Sequence, residues 1–254
     1  MSPQDLEAEK AWHERPFYLD NGHWSSRWPF AGRDRHALHE ALVHERFHAG
    51  LRAALGARRP ERTLLAPLGE GADAAALREL CGELHGLDVS PLALERAPAV
   101  VFKREAALPR SGYPDAQFDL VVCARFLHHV GGELAPHLAE FRRVLRPGGL
   151  LAVLEPGLWH PAAFLLALAD PLFGRAAGRV RGERPLHPPA LTAALRAAGF
   201  EAPLVRALGF GHARFPCPLQ RLLAAVDAPM RLFGPTALFA ESVAWYARKP
   251  EGGA

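Results

Sequence analysis

The chain has 254 residues, of which 49% are hydrophobic and 22% charged, with a formal net charge of +3. This length allows one large domain or a domain with a cap, and the composition is that of a soluble globular protein. The basic residues form no block long enough for a nucleic-acid arm, and the three cysteines are far apart without a CxxC pair, so we expect no nucleic-acid partner and no metal cluster.

Residues 1–60 are rich in aromatic and histidine side chains and contain one clear helical pattern. Apolar residues recur every three or four positions between residues 36 and 55, which predicts a helix with one face in the core. We interpret residues 1–60 as an N-terminal helical cap. Within it, Tyr18, Trp24 and Trp28 either cover a bound cofactor or fix the cap to the core.

From residue 61 to residue 254 the pattern changes to short apolar runs that alternate with helices. Apolar strands separated by helices pair in parallel and are covered on both faces. We therefore predict an α/β fold, a Rossmann-like three-layer sandwich with a mostly parallel seven-stranded sheet. The "RPGG" stretch at residues 146–149 predicts a helix stop and a turn before the fifth strand.

Two segments, residues 156–186 and 208–236, fit this alternation poorly. Both are apolar, and the second contains several prolines that predict irregular structure, so we interpret them as inserts that build a substrate wall. The longest apolar run, at residues 161–173, contains Asp170 and is too short to span a bilayer. The N-terminal residues are charged where a signal peptide is apolar. We expect a cytoplasmic protein without a membrane span, and the sequence leaves its oligomeric state unknown.

Gly69, Glu70 and Gly71 lie where the first apolar run gives way to an alanine-rich helix. A Walker loop would end in Gly-Lys-Ser/Thr, which is absent here. A dinucleotide loop needs a third glycine, where this chain has alanine, and Glu70 and Asp73 would repel a pyrophosphate at the start of the helix. S-adenosylmethionine has no phosphate, and carboxylates near the loop do not penalise its binding.

Asp88 ends the second apolar run, where a carboxylate can accept hydrogen bonds from both hydroxyls of a ribose. Enzymes that bind NAD use the same arrangement, so Asp88 alone indicates only a nucleoside. Together with a loop that lacks phosphate chemistry, it favours S-adenosylmethionine.

From about residue 62 to residue 149 the chain resembles the class I S-adenosylmethionine-dependent methyltransferases. The matching segments occur in family order and at family spacing, and they are "LLAPLGEGADAAAL", "LHGLDVSPLALERA", "YPDAQFDLVVCARFLHHV" and "FRRVLRPGGLLAVLEP". The last two are the more specific. The later "GERPLHPPALTAALRAAGFE" is similar to a helix and strand found in small-molecule members, which extends the resemblance to about residue 207.

The resemblance implies a set of cofactor-binding residues, which are Gly69, Glu70, Gly71, Asp88, Val89, Glu105, Cys123 and Arg125. In such a site the glycines let the backbone approach the methionine and sugar parts of the cofactor, and Asp88 binds the ribose hydroxyls. Glu105, or its neighbour Arg104, lies near the family's position for an acid on the adenine amine. Cys123 and Arg125, at the end of the fourth strand, lie under the methionine part.

Two positions depart from the family pattern. Pro67 replaces an acid two residues before the first glycine, and Asp73 replaces the third glycine. Pro67 has no side-chain acceptor for the cofactor's ammonium group. Either Glu70 compensates, or the cofactor binds more weakly.

The candidates for a catalytic base are His129, Tyr18 and His160. Methyl transfer is an in-line displacement that depends mainly on positioning, and a base is needed only for a protonated nucleophile. His129 follows the fourth strand and His160 follows the fifth, both near the substrate entrance of this fold. The alternatives are that His129 braces the sheet edge and that His160 is a loop residue, and we expect His128 to be structural.

The leading hypothesis is a methyltransferase that acts on a small apolar molecule, such as a natural-product intermediate or a lipid-like compound. A second hypothesis, motivated by Pro67, is that S-adenosylmethionine is itself the substrate and cyclises to a cyclic amino acid such as azetidine-2-carboxylate and methylthioadenosine. A third is a non-catalytic scaffold of the same fold, which would bind no cofactor.

Overall fold

The computed structural model describes residues 33–69, 71–99, 101–130, 133–157, 159–161, 186–213, 215–232 and 234–252. The predictions for Tyr18, Trp24, Trp28 and Glu70 lie outside these residues, as does most of the predicted first insert. Across the described ranges, no helix is long and apolar enough to cross a membrane.

Seven strands form a single sheet within the described residues. They are β1 (Arg62–Leu65), β2 (Glu83–Asp88), β3 (Val101–Glu105), β4 (Phe118–Ala124), β5 (Leu145–Pro156), β6 (Leu204–Gly209) and β7 (Ser242–Arg248). The spatial order is β3-β2-β1-β4-β5-β7-β6. The first five strands pair in parallel, and β7 is antiparallel to both of its neighbours, which confirms the prediction of a mostly parallel seven-stranded sheet.

The helices of the described part cover both faces of the sheet. They are α1 (Arg33–Leu55), α2 (Ala74–Leu80), α3 (Pro91–Arg96), α4 (Leu134–Val144), α5 (Pro188–Ala197), α6 (Cys217–Val226) and α7 (Ala228–Leu232), with 3₁₀ helices at Leu127–His129 and Gly234–Phe239. Side chains alternate between the faces of a strand, so consecutive strand residues enter different cores. Leu64 and Val121 pack with α4 and α5, whereas Leu65 and Val122 pack with α1 and α2. The sandwich therefore has the three layers predicted.

The predicted N-terminal helix is confirmed as α1, and its apolar face is buried against the sheet. Val43, Phe47, Leu51 and Leu55 lie in the core shared with the strands. Each large side chain of this kind stabilises the fold by about 1.5–3 kcal/mol on burial. The helix ends at Gly56, whose positive φ of 62° is the left-handed conformation that commonly follows a helix. Thus α1 forms part of one layer of the sandwich, and the domain boundary near residue 60 stays a prediction.

Tyr246 and Arg46 are two of the side chains that fix α1 to the C-terminal half of the chain. The Tyr246 hydroxyl on β7 donates to the Phe47 carbonyl at 2.7 Å. The Arg46 guanidinium donates to the carbonyls of Leu208 and Ala224 at 2.6 and 3.0 Å, and it forms an ion pair with the buried carboxylate of Asp227 at 3.1 Å. Because these acceptors are partly or fully buried, water has little access to them, and Arg46 supplies the hydrogen bonds that they need.

Replacing Arg46 with methionine is expected to lower the free energy of unfolding by about 3 kcal/mol, since two carbonyls and a buried carboxylate lose a charged donor. Asp227 keeps its bond to Arg231 at 2.7 Å, which limits the loss. Urea denaturation measures the effect, and the exposed Arg221→Met on α6 is the control. Equal stabilities of the two variants would contradict the structural role of Arg46.

Two sequence predictions about local structure need correction. Residues 208–236 are not irregular, since they contain the end of β6, the helices α6 and α7 and part of a 3₁₀ helix. Pro218 and Pro229 are the second residues of α6 and α7. The backbone N–H groups of a first helical turn have no acceptor within the helix, so a proline there costs no hydrogen bond. These prolines therefore begin helices rather than break them. The "RPGG" turn lies inside β5 as a bulge, because Leu145 pairs with Phe118 and the next pairing is at residue 150.

Candidate cofactor and active site

Several predicted site residues and Glu155 lie at the same edge of the sheet. Parallel strands end at the same edge, and the strand order reverses between β1 and β4, where this class of fold forms its ligand crevice. The residues at this edge are Gly69 after β1, Asp88 at the end of β2, Glu105 at the end of β3, Arg125 after β4 and Glu155 near the end of β5. The topology therefore brings together side chains that are far apart in sequence.

The glycine loop leaves open space at its first glycine. Gly69 and Gly71 have φ values of 53° and 78°, which side chains other than glycine rarely adopt. A Cβ atom on Gly71 would lie 2.6 Å from the Pro98 Cδ atom, so packing requires glycine there. A Cβ on Gly69 would meet no atom within 4 Å. The backbone at Gly69 is thus accessible to a ligand that approaches closely.

Asp88 connects the glycine loop to the end of β2. Its buried carboxylate accepts the Gly69 N–H at 2.8 Å through Oδ2 and the Ser90 N–H at 2.9 Å through Oδ1. A carboxylate has about four acceptor positions, so each oxygen retains one for a ligand hydroxyl. The open space at Gly69 and this spare acceptor capacity fit the ribose of a nucleoside cofactor. Val89, between Asp88 and Ser90, is half-buried.

Glu105 and Cys123 differ in their surroundings. Glu105 is exposed and lies directly opposite Asp88 in the parallel pairing of β2 and β3. Cys123 lies in the apolar core, and burial, with a smaller effect from the Glu155 carboxylate, raises the pKa of its thiol well above the usual range. Contact of Cys123 with a cofactor therefore involves its backbone rather than its enclosed thiol.

Arg125 points away from the strand end toward α1. Its Nη2 atom donates to Glu40 Oε1 at 2.8 Å. Burial alone would lower the pKa of the guanidinium, but the carboxylates of Glu40, Glu241, Glu155 and, more weakly, Asp73 raise it. Glu40 thus contacts the guanidinium directly, and three further carboxylates act on it electrostatically.

Three of these acidic residues, Glu40, Asp73 and Glu241, have lowered pKa values, although Asp73 is buried and the other two are half-buried. Burial opposes the ionisation of Glu40, but Arg125 and His44 outweigh it and lower its pKa to about 2. Burial is likewise outweighed at Asp73 by His44 and His48, and at Glu241 by His39 and Arg125, so that both have pKa values well below the usual range. Each lowered pKa reflects neighbouring cationic groups, so these carboxylates form a network of ion pairs with Arg125 and the histidines of α1 at this edge of the sheet.

His128 has the structural role that we expected from the sequence. Its Nδ1 atom is 2.7 Å from Glu155 Oε2, while Glu155 Oε1 accepts the backbone N–H groups of Phe126 and Leu127 at 3.0 and 2.6 Å. Glu155 therefore holds the turn that follows β4. The ring of His129 lies against the ring of His128, with 4.1 Å between their centres.

His160 has the geometry of a neutral base. Its buried ring places Nε2 3.1 Å from the Phe210 carbonyl oxygen, so Nε2 carries the hydrogen and Nδ1 carries a lone pair. In the described part of the chain, Nδ1 has no hydrogen-bond partner. Burial lowers the pKa of the imidazole below its usual value, which keeps the ring neutral at pH 7. The ring stacks on His212 at 5.7 Å.

Sequence reasoning missed several residues of this edge, namely Glu40, His44, His48, Glu155 and Glu241. The two histidines on α1 are four positions apart, which places them on the same side of a helix, and this spacing could have been noticed. Their partner, Asp73, was considered from the sequence as a charge that repels pyrophosphate and as a departure from the glycine pattern, but not as a partner of histidine. The contact between His44 and Asp73 spans 29 positions, so no local pattern predicts it.

Comparison with known proteins supports the methyltransferase resemblance found in the sequence. Residues 66–153 match the family described as "Methyltransferase domain". The probable methyltransferase ltbC of Aspergillus luteorubrus is 34% identical over 143 residues, which cover 48% of this chain and 50% of that protein. A demethylmenaquinone methyltransferase of Deinococcus radiodurans is 37% identical over 134 residues, 49% of each chain. The chain thus matches about half the length of these relatives.

Solved structures share the fold at low sequence identity. The cyclase SpnF has a TM-score of 0.56 and 22% identity, with 82% of both chains covered. An S-adenosylmethionine-dependent methyltransferase from Thermotoga maritima has a TM-score of 0.57 and 20% identity, covering 82% of this chain and 91% of its own. The 1,6-didemethyltoxoflavin-N1-methyltransferase of Burkholderia thailandensis was solved with S-adenosylhomocysteine. It has a TM-score of 0.53 and 21% identity, covering 82% of this chain and 78% of its own.

Residues 66–153 therefore match a methyltransferase domain, and the fold and these relatives support a class I S-adenosylmethionine-dependent methyltransferase, a class whose cofactor is S-adenosylmethionine. The resemblance noted from the sequence is confirmed. The family match does not test individual residues, so the roles of Gly69, Gly71, Asp88, His129 and His160 stay predictions.

Proposed function

We propose that this protein transfers the methyl group of S-adenosylmethionine to a small apolar molecule. The observation that carries the proposal is the pairing of Asp88 with the glycine loop, because it combines a spare ribose acceptor with open space at Gly69. When bound, the cofactor supplies an electrophilic methyl group on a sulfonium ion. The protein has to hold the acceptor in line with that methyl group and exclude water.

The charge of the site supports a cationic cofactor. S-adenosylmethionine carries a sulfonium and an ammonium group against one carboxylate, so its net charge is positive. Pro67 removes the acid that the family commonly places before the glycines. The carboxylates of Asp88 and Glu105, at the ends of β2 and β3, contribute negative potential at the same edge of the sheet. Their field offsets part of that loss without a direct contact.

His160 is the described residue best suited to accept a proton from the methyl acceptor. Its Nδ1 lone pair can take the hydrogen of a hydroxyl or an amine, while the Nε2–H bond to Phe210 fixes the tautomer and the orientation of the ring. Tyr18, which lies outside the described residues, and His129 stay predictions as catalytic groups.

An exposed aromatic surface next to His160 favours an apolar acceptor. Trp159 and Phe239 are 41% and 50% exposed, although side chains of this size are usually buried. Their rings are 6.2 Å apart, and Trp159 also lies 4.5 Å from the ring of His187. Such a surface would bind a flat or greasy molecule through apolar contact.

The three described cysteines form no disulfide bonds, which is consistent with the cytoplasmic location that we propose.

The test has two stages. Isothermal titration of S-adenosylhomocysteine into the protein is expected to show micromolar binding. The protein is then incubated with S-adenosylmethionine and a panel of apolar phenols, amines and carbon acids, and mass spectrometry is expected to find a methylated acceptor together with S-adenosylhomocysteine.

Each alternative function predicts a different result in these two experiments. Methylthioadenosine formed without any acceptor would replace our proposal with the cyclisation of S-adenosylmethionine. An absence of binding heat would instead favour a non-catalytic scaffold.

A further inference from the structure

Two histidines on α1 and an aspartate at the start of α2 converge on one point. His44 Nδ1 is 2.6 Å and His48 Nε2 is 2.8 Å from the same oxygen, Asp73 Oδ1. The three atoms that could act as ligands lie within 4.8 Å of one another. The side chains of His48 and Asp73 are only 9% and 6% exposed. The cluster therefore lies inside the interface between α1 and α2.

The chemistry of these three groups is that of a transition-metal site. Two imidazole nitrogens with one carboxylate oxygen form a ligand set that suits zinc, whereas calcium and magnesium prefer oxygen ligands alone. Histidines four positions apart on one helix face can reach the same ion. Three protein ligands leave a fourth tetrahedral position for water.

The groups around the cluster orient one of the ligands. The far nitrogen of His44, Nε2, is 3.2 Å from Glu40 Oε2, and the other Glu40 oxygen accepts a bond from Arg125 at 2.8 Å. Metal-binding histidines usually donate their second ring N–H to a carboxylate, which fixes the tautomer. The Nδ1 atom of a protonated His44 donates to Asp73, and a metal ion would replace that hydrogen while the Nε2–H bond to Glu40 remains.

His48 supplies an independent observation. Its buried Nε2 atom lies 2.8 Å from Asp73 Oδ1, but the contact lacks the alignment of a hydrogen bond, and no other partner for this nitrogen occurs among the described residues. A ring nitrogen and a carboxylate oxygen held this close without an aligned proton repel each other unless a cation binds both of them. A metal ion satisfies both atoms together.

We propose that His44, His48 and Asp73 bind one divalent transition-metal ion, with zinc favoured by the ligand set. The ion would join α1 to the segment that directly follows the glycine loop, because Asp73 occupies the third glycine position of the family pattern. The metal site stands apart from the proposed methyl transfer. Only its effect on cofactor binding rests on that function.

Cobalt tests the site directly, because Co²⁺ bound by nitrogen and oxygen ligands absorbs visible light. The tag-free full chain is stripped with a chelator and titrated with Co²⁺. One equivalent is expected to saturate the absorption band, and both His48→Ala and Asp73→Ala are expected to lose it. His85→Ala on β2 is the control that keeps the band. Circular dichroism in the presence of chelator shows whether each variant is folded.

Equal cobalt binding by folded wild type and folded His48→Ala would overturn the proposal. The cluster would then be a protonated histidine held between carboxylates, in agreement with the pKa of about 9 that Asp73 and Glu40 give His44 against the effect of burial. If neither variant folds, His48→Gln is used instead, because the amide of glutamine is similar in length to the imidazole. Loss of the cobalt absorption band is again the expected result, and equal cobalt binding would again overturn the proposal.

The effect on the cofactor loop has a separate readout. Zinc is expected to tighten S-adenosylhomocysteine binding about tenfold in the wild type and to leave the His48 variant unchanged. Equal affinities with and without zinc would overturn the coupling, while the cobalt spectrum would still decide the metal site. If no form of the protein binds S-adenosylhomocysteine, the proposed methyl transfer fails, and the metal site is again judged by cobalt alone.

Discussion

Replacing Asp88 with alanine is expected to weaken S-adenosylhomocysteine binding by more than about 100-fold. The variant removes a charged acceptor for two ribose hydroxyls, and a hydrogen bond to a charged group contributes about 1.5–3 kcal/mol. It also leaves the Gly69 N–H, now 2.8 Å from Asp88, without its acceptor, so the glycine loop loses its anchor. Isothermal titration with the wild type and the variant in parallel measures the loss.

The matched control for Asp88 lies at the opposite end of the same strand. Glu83 begins β2, pairs with Arg62 at 3.0 Å and is 45% exposed, so Glu83→Ala is expected to leave the affinity unchanged. Thermal unfolding of both variants separates a loss of ligand contacts from a loss of fold. Affinity of a folded Asp88→Ala within threefold of the wild type would exclude Asp88 from the cofactor site.

Replacing His160 with phenylalanine is expected to lower the methyl-transfer rate by about 10²–10⁴-fold for an acceptor that arrives protonated. Phenylalanine keeps the stacking on His212 and the filled volume but has no lone pair. Cofactor affinity is expected to stay unchanged, because His160 is placed on the acceptor side of the site. The measurements are the turnover rate with the acceptor identified by mass spectrometry and the titration with S-adenosylhomocysteine.

The pH dependence of the same rate gives a second test of His160. Burial lowers the pKa of the ring, Glu241 and the Phe210 carbonyl oppose this shift, and His39 adds to it. A base with a lowered pKa loses its lone pair only in more acidic solution. The wild-type rate should therefore decrease in acidic solution, at a lower pH than for a histidine with the usual pKa, whereas His160→Phe should lack this decrease.

His85→Phe is the control for the His160 substitution. His85 lies on β2 against Phe102 and far in sequence from the proposed acceptor site, and its replacement keeps the aromatic packing. We expect its rate and its pH profile to match the wild type. A His160→Phe enzyme with the wild-type turnover rate would assign the proton transfer to another group.

The parts of the molecule that local patterns determine were predicted well from the sequence. The alternation of apolar runs and helices defines the parallel sheet, because a strand buried on both faces is apolar along its whole length. Asp88 was identifiable because it ends such a run. The helix α1 was visible in its periodicity. A pattern shows that one helix face is buried but not which surface covers it, so the packing of α1 on the sheet was not predicted.

Contacts between distant segments could not be predicted either, because a local pattern does not show which distant residue a side chain will contact. Arg46 meets Asp227 across 181 positions, and His44 meets Asp73 across 29. In each case neither residue has a local signature that names its partner. The helices after β6 were missed for a different reason, since a proline in a first helical turn and a proline in a loop look alike in a single sequence.

The bond from Tyr246 to the Phe47 carbonyl also constrains the order in which the chain can fold during its synthesis on a ribosome. The helix α1 is made early, but its packing surface includes β7, which is made some 200 positions later. Until β7 emerges and inserts between β5 and β6, the apolar face of α1 has only part of its cover. Contacts that span so much of the chain form slowly, because the intervening segment must first be brought together at an entropic cost. Until β7 is made, α1 therefore lacks part of the apolar cover that it has in the folded chain.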